Sequence, residues 1–187
     1  MATQLSDEIL IEQAISGKQQ AFAMLVHRYE QYVFTLALRM VRQREDAHEV
    51  AQDSFLKAFR YLRDFRSESR FSTWLYRIVY NTSLNHLRKS NPEIQSIDDD
   101  DHPVRLPDAG TPDAGVLMER AERNVSLREA IARLSPDDAA IINLFYLQEQ
   151  SLEEICAITA MTMSNAKTKL CRARQRLKHQ LTTTLNI

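Results

Sequence analysis

Apolar residues recur at steps of three and four along most of this chain. Phe22, Leu25, Val26, Tyr29, Tyr32, Val33, Leu36 and Met40 form one series. Ala47, Val50, Ala51, Ser54, Phe55, Ala58, Phe59 and Leu62 form a second. Such spacing returns to one side of a helix, so each series predicts an amphipathic helix with its apolar stripe turned inward. No sustained alternation suggests a strand. A shorter helix is predicted over 7–16, stopped by Gly17, and another over 72–89.

The periodicity breaks where the breakers gather. Pro92, Pro103, Pro107, Pro112, Gly110 and Gly115 fall in one stretch that also holds the aspartate run 98–101. That stretch has too few apolar residues to offset the entropy of ordering it, and it reads as a flexible acidic linker. The chain is therefore expected to be all-α. Two small helical domains, 1–90 and 116–187, are joined by a linker over 91–115.

The second domain starts with a predicted helix over 116–134. Ser135 then caps a helix with Pro136 at its first position, a favoured pairing, and Ala140, Ile141, Leu144, Phe145 and Leu147 supply its stripe. Ser151 caps a further helix over 152–160, and Glu154 three residues on predicts a capping box. Residues 161–163 make a short turn, and Ser164 is expected to cap the last helix. Two helices across a short turn form a helix-turn-helix, whose second member enters the major groove of DNA.

That last helix carries Lys167, Lys169, Arg172, Arg174, Arg176 and Lys178 without an acid between them. Ala166, Leu170, Ala173 and Leu177 make its inward stripe. Ser164, Asn165 and Thr168 are short, so its N-terminus can approach a duplex closely, while Lys169 and Arg172 can reach bases or phosphates. The chain has a net charge of only -1. Two basic blocks flank the acidic linker, a segregation that suits a polyanionic partner better than the total suggests. A solvated basic face, or a membrane-surface helix, would share the composition but not the preceding helix and turn.

A different mixture occupies the helix over 72–89. Trp74, Arg77, Asn81, Asn85 and Arg88 advance by three and four and share one face. Planar groups for stacking, amides for base edges and cations for phosphates suit single-stranded nucleic acid. Core packing is the alternative for Trp74. On the second helix, Asp46, Glu49, Gln52 and Asp53 stand opposite the apolar stripe. They make a patch suited to a basic protein surface, or simply a solvated face whose acids favour the helix N-terminus.

Other chemistry is not supported. Cys156 and Cys171 lack metal-site spacing, and small buried roles are expected for both. There is no Gly-rich phosphate loop, no His/Cys/Glu cluster and no nucleophile elbow, so neither an enzyme nor a cofactor is expected. No apolar run approaches the roughly 18 residues of a membrane span, and the N-terminus does not read as a signal peptide. Cytoplasmic location without membrane insertion follows as the expectation.

The stretches DAHEVAQDSFLKAFRYLRDF (46–65) and FSTWLYRIVYNTSLNHLRK (71–89) resemble region two of extracytoplasmic-function sigma factors of bacterial RNA polymerase. LREAIARLSPDDAAIINLFYLQEQSLEEICAIT (127–159), with the basic helix after it, resembles their region four. The resemblance implies an alternative sigma factor. Region two would bind the β′ coiled coil through Asp46, Glu49, Gln52 and Asp53. It would capture a melted minus-ten element through Arg66, Ser67, Phe71, Trp74, Arg77, Asn81, Asn85 and Arg88, the loop 64–71 forming a pocket for a flipped-out base.

Region four would read a minus-thirty-five duplex through Ser164, Asn165, Lys167, Thr168, Lys169, Arg172 and Arg174, and would contact the β flap. The linker would thread through the polymerase, and an anti-sigma factor is the implied regulator. Asn165 and Ala166 stand where the family usually has Thr-Val, and Lys169 where Arg is common, so the resemblance does not fix the promoter sequence read. The competing reading is a two-domain helix-turn-helix regulator that does not join the polymerase.

Overall fold

The computed structural model describes residues 5–90 and 125–185, with side chains as far as 182. Every regular element among them is helical. In order they are α1 (Asp7–Ile15), α2 (Gln19–Val41), α3 (Arg44–Tyr61), a 3-10 turn (Leu62–Asp64), α4 (Phe71–Ser90), α5 (125–132), α6 (Pro136–Ile142), α7 (Leu152–Thr159) and α8 (Met163–Leu185). The linker expected over 91–115 lies outside the described residues, as does the stretch 116–124 of the helix predicted over 116–134.

Local sequence sets most helix ends. Ser6 accepts from the Ile9 amide and starts α1, and Gly17 supplies the positive φ of 96° that ends the turn after it. Ser135 accepts from the Asp138 amide, with Pro136 in the first turn of α6. The predicted capping box is formed: the Ser151 amide donates to Glu154 Oε2 at 2.8 Å, and the Glu154 amide donates to Ser151 Oγ at 3.2 Å.

The α2 stripe turns inward through Leu25, Val33, Leu36 and Met40, all buried. Ala47, Val50, Ser54 and Ala58 do the same on α3, and Leu75 and Val79 on α4. In the second domain Ile141, Leu144, Ile155, Ile158, Ala166, Leu170 and Ala173 are buried. The two domains are docked: α4 packs on α7 and α2 on α6, and buried apolar residues form one cluster from Leu10 to Ala173.

Four expectations are corrected. Phe59 keeps 52% of its surface exposed, and Tyr32 is also exposed, because each lies at the margin of its stripe. The stretch after Ile142 is not α-helix but a π-helix (Asn143–Leu147), closed by the Gln148 amide donating to Asn143 O at 3.0 Å. The wider turn moves the residues that follow its start round the axis, and Leu147 is exposed, while Ile142 and Asn143 before it are buried. The last helix starts at Met163, and its cap is Thr162, whose Oγ1 accepts from the Asn165 amide at 3.3 Å. Ser164 lies inside the helix instead. Cys156 is half-buried and Cys171 exposed, so neither is a fully buried small residue.

The helix-turn-helix turns on Ala160, which caps α7 in the left-handed region at φ 59°. A Cβ there costs roughly 1–2 kcal/mol, partly offset in a Gly variant by a more flexible unfolded chain. Ala160→Gly is expected to stabilise the chain by about 0.5–1 kcal/mol. A denaturation midpoint that falls rather than rises would refute this.

Candidate nucleic-acid interface

Two cationic faces reach solvent. On α4, Arg77, Asn81, Asn85 and Arg88 are all exposed. They form the stripe the spacing predicts. Trp74 starts the stripe and is half-buried, its ring 5.2 Å from Phe65 and 5.7 Å from Phe71. Trp74 therefore packs on its aromatic neighbours and keeps part of its surface exposed.

Phe71 is the exception among the eight residues expected at single-stranded DNA. It is 4% exposed, with its ring edge-on to Tyr29 and Phe65. Hydrophobic burial at the first residue of α4 makes it the floor of the preceding loop, not a contact surface. Arg66 and Ser67 are exposed in that loop. Ser67 holds φ at 56°, a conformation a non-glycine residue adopts at a cost, and one that turns the loop sharply before α4.

On α8 the inward stripe is the predicted one, and Ser164, Asn165, Lys167, Thr168, Arg172 and Arg174 are exposed. The cations nevertheless differ in freedom. Arg174 lies over Phe145 and Tyr146, 5.3 and 5.4 Å from the ring centres. Arg176 Nη1 donates to the buried Asp138 at 2.6 Å. Lys169 is half-buried and its Nζ donates to Asp137 Oδ2 at 3.0 Å. Arg172 and Lys167 are exposed, and Lys167 lies close enough to Glu153 to interact with its carboxylate. Sequence spacing could not rank these cations, because the rings and acids that hold them come from α6 and the π-helix.

A third face lies on α3. Glu49, Gln52 and Asp53 are exposed as expected, while Asp46 pairs with His86 of α4 at 3.4 Å. Beside them runs an apolar groove between α2 and α3, lined by Phe22, Val26, Glu30, Gln52, Phe55 and Phe59. Phe22 meets Phe59 edge-on at 5.0 Å. Sequence reasoning assigned Phe55 and Phe59 to the core. Their spacing is the same in either role, so no local signal distinguishes them.

The seam between the domains was not foreseen. Thr73 Oγ1 reaches Gln150 Oε1 at 3.4 Å and Glu154 Oε1 at 3.3 Å. The Tyr76 hydroxyl donates to Gln148 Oε1 at 2.9 Å, and that of Tyr80 to Asp137 Oδ1 at 3.0 Å. Arg42 donates to the Leu134 carbonyl at 2.6 Å. Thr73, Tyr76 and Tyr80 advance by three and four, so α4 carries a second polar stripe beside the cationic one. Burial, then the Asp137 charge, pushes the Tyr80 phenol well above its usual range, which keeps it a donor.

Known proteins match this chain over nearly its full length. The Sigma-70 region 2 profile matches residues 25–93, and the Sigma-70, region 4 profile matches 124–177. The ECF RNA polymerase sigma-E factor of Haemophilus influenzae is 36% identical over 188 residues, covering 97% of this chain and 98% of the relative. The RNA polymerase sigma-H factor of Pseudomonas aeruginosa is 31% identical, covering 97% of this chain and 96% of the relative. Among solved structures, CnrH in complex with the cytosolic domain of CnrY superposes with a TM-score of 0.65 at 25% identity, covering 95% of this chain and 97% of that one. The match takes in both domains in order, which does not favour a regulator that works apart from polymerase. The chain belongs to the extracytoplasmic-function family of RNA polymerase sigma factors.

Proposed function

We propose that the chain is an alternative sigma factor that joins core RNA polymerase and directs it to promoters. The observation that carries this is the pairing of two exposed cationic faces, on α4 and α8, in one chain collinear with its relatives. The α8 face, with short residues at its start, suits the major groove of a minus-thirty-five duplex. The α4 face and the loop before it suit the non-template strand of a melted minus-ten element, Trp74 offering a ring for stacking. Arg66, Ser67, Arg77, Asn81, Asn85 and Arg88 would make the remaining contacts there.

The α3 face would dock on the β′ coiled coil. Glu49, Gln52 and Asp53 offer charge, and the groove bordered by Phe55 and Phe59 offers apolar area, a pairing that gives both orientation and affinity. Region four would meet the β flap, and the segment 91–115 would run between the two domains within the polymerase. An anti-sigma factor completes the set of partners. Work on polymerase places the protein in the cytoplasm, and no described helix is long and apolar enough to cross a membrane. Its role is recognition without covalent chemistry.

Transcription from a promoter library with purified core polymerase and this protein tests the reading. Mapped starts should share two upstream elements at fixed spacing. Duplex binding without any initiation would sink it.

Two sets of variants test the faces separately. Asp53→Lys and Phe59→Asp should each weaken holoenzyme assembly by about tenfold or more without loss of helical signal, since each opposes a docked surface. Normal assembly by both would remove α3 from the interface. Arg172→Ala should cost about 1–3 kcal/mol if the guanidinium reads a base, or flatten the salt slope by about one if it meets a phosphate. Arg174→Ala should do less, because its guanidinium already lies over two rings. Equal losses in the two variants would contradict the ranking.

A further inference from the structure

The helix α1 supplies no residue to either cationic face, yet its first residue is tied to the aromatic rings beneath one of them. Asp7 and Arg28 form an ion pair whose side chains are 22% and 21% exposed. Arg28 Nη1 donates to Asp7 Oδ1, and its Nη2 donates to the Leu5 carbonyl at 2.6 Å. The second carboxylate oxygen accepts from the Tyr29 hydroxyl. Burial, then this bond, pushes the Tyr29 phenol well above its usual range, so the hydroxyl stays a donor. Asp7 thus holds the far end of a ring whose near end is fixed to α2.

That ring stands edge-on to Phe71, with centres 5.5 Å apart. Phe71 meets Trp74 at 5.7 Å and Phe65 at 5.9 Å, and Phe65 meets Trp74 at 5.2 Å. Phe65 precedes the exposed loop and Phe71 and Trp74 follow it, so the three rings close the loop across its two ends. Residues 66–70 between them are all exposed and none is apolar. The loop itself therefore has no apolar side chain that could fix the orientation of Trp74. In addition, α1 packs on the 3-10 turn that leads into Phe65. Edge-on ring contacts depend on orientation, because the positive edge of one ring meets the negative face of the other. A ring held at both ends keeps that orientation, whereas one held only through its Cβ can tilt.

We propose that Asp7 and Tyr29 are positioning residues for single-strand binding: Asp7 anchors the Tyr29 hydroxyl, Tyr29 holds Phe71 edge-on, and Phe71 sets the ring plane that Trp74 presents. Both act through Trp74 and not on the strand. The inference rests on the sigma-factor reading, in which Trp74 faces a melted minus-ten element, and it gives α1 a part in that step. A tie between α1 and α2 and nothing more would affect stability alone. The relay adds a consequence at Trp74, two ring contacts away.

Trp74 is the only tryptophan of the chain, so its emission reports this site alone. The test uses the full-length chain and three readouts. These are acrylamide quenching of Trp74, binding of a labelled oligothymidylate strand, and binding of a labelled duplex of random sequence. Tyr29→Phe keeps the ring and removes only the hydroxyl. It should raise the quenching constant of Trp74 and weaken single-strand binding by about fivefold, the equivalent of roughly one hydrogen bond. Duplex binding should stay at the wild-type level, since α8 is untouched.

Asp7→Ala should reproduce both changes and also lower the denaturation midpoint, because Arg28 loses its partner. It should add nothing to the quenching of the Tyr29→Phe chain. In a Trp74→Ala chain, Tyr29→Phe should cost no further single-strand affinity, because the two changes act through one contact. Unchanged quenching in Tyr29→Phe, or losses from Tyr29→Phe and Trp74→Ala that add in full, would overturn the relay. So would an equal fall in duplex and single-strand binding, which a general loss of structure produces. Run-off transcription with core polymerase separates the relay from the sigma-factor reading. If the wild-type chain never initiates while the Trp74 changes hold, the relay stands and the sigma assignment is lost. Initiation by the wild type, with Trp74 unaltered in Tyr29→Phe, keeps the assignment and removes the relay.

Discussion

The helix α4 is the constraint on which the rest of the structure depends, because three surfaces compete for its circumference. One stripe, Phe71, Leu75 and Val79, fills the core of the first domain. A second, Thr73, Tyr76 and Tyr80, bonds to the second domain. A third, Arg77, Asn81, Asn85 and Arg88, is left to solvent. A helix that buries one stripe has about two-thirds of its surface free, and here almost all of it has an assignment. The stripe bonded to the second domain does not overlap the cationic one. Docking thus leaves the cationic face open to solvent.

Glu154 shows how local and tertiary roles share a single group. Its Oε2 closes the capping box of α7, and its Oε1 meets Thr73 and, at 3.6 Å, Arg70 across the seam. A carboxylate has lone pairs for several donors, so the cap need not be given up for the dock. Asp137 and Asp138 divide the corresponding work at the start of α6. Both sit where the helix dipole favours negative charge. Asp138 is buried on Arg176 within the second domain, while Asp137 bonds both Lys169 of that domain and Tyr80 of the first.

The α8 helix carries its charge unevenly for related reasons. Its basic residues look equivalent in sequence, and at helix spacing several should face solvent alike. Aromatic rings delivered by the π-helix take up Arg174, and acids at the α6 N-terminus take up Lys169 and Arg176. Arg172 and Lys167 stay exposed, outside the contacts that the π-helix and the α6 acids make. A single widened turn at Asn143–Leu147 therefore influences which positive charges are presented.

Much of this was determined by the sequence alone. Apolar spacing is a local property of a 3.6-residue repeat, so the all-α architecture, the inward stripes of α2 and α8 and the exposed stripe of α4 were legible. Caps are equally local, and Ser135, Pro136 and the Ser151–Glu154 box stand where expected. The start of α8 was misplaced because Ala160 takes a left-handed conformation that composition does not announce, which ends α7 one residue earlier, moves the turn to 160–162 and passes the cap to Thr162. Only the tertiary structure decided the fates of Phe59, Phe71 and Lys169. Burial, exposure and pairing depend on residues far away in the chain, and a periodic pattern says which residues share a face without saying what that face meets.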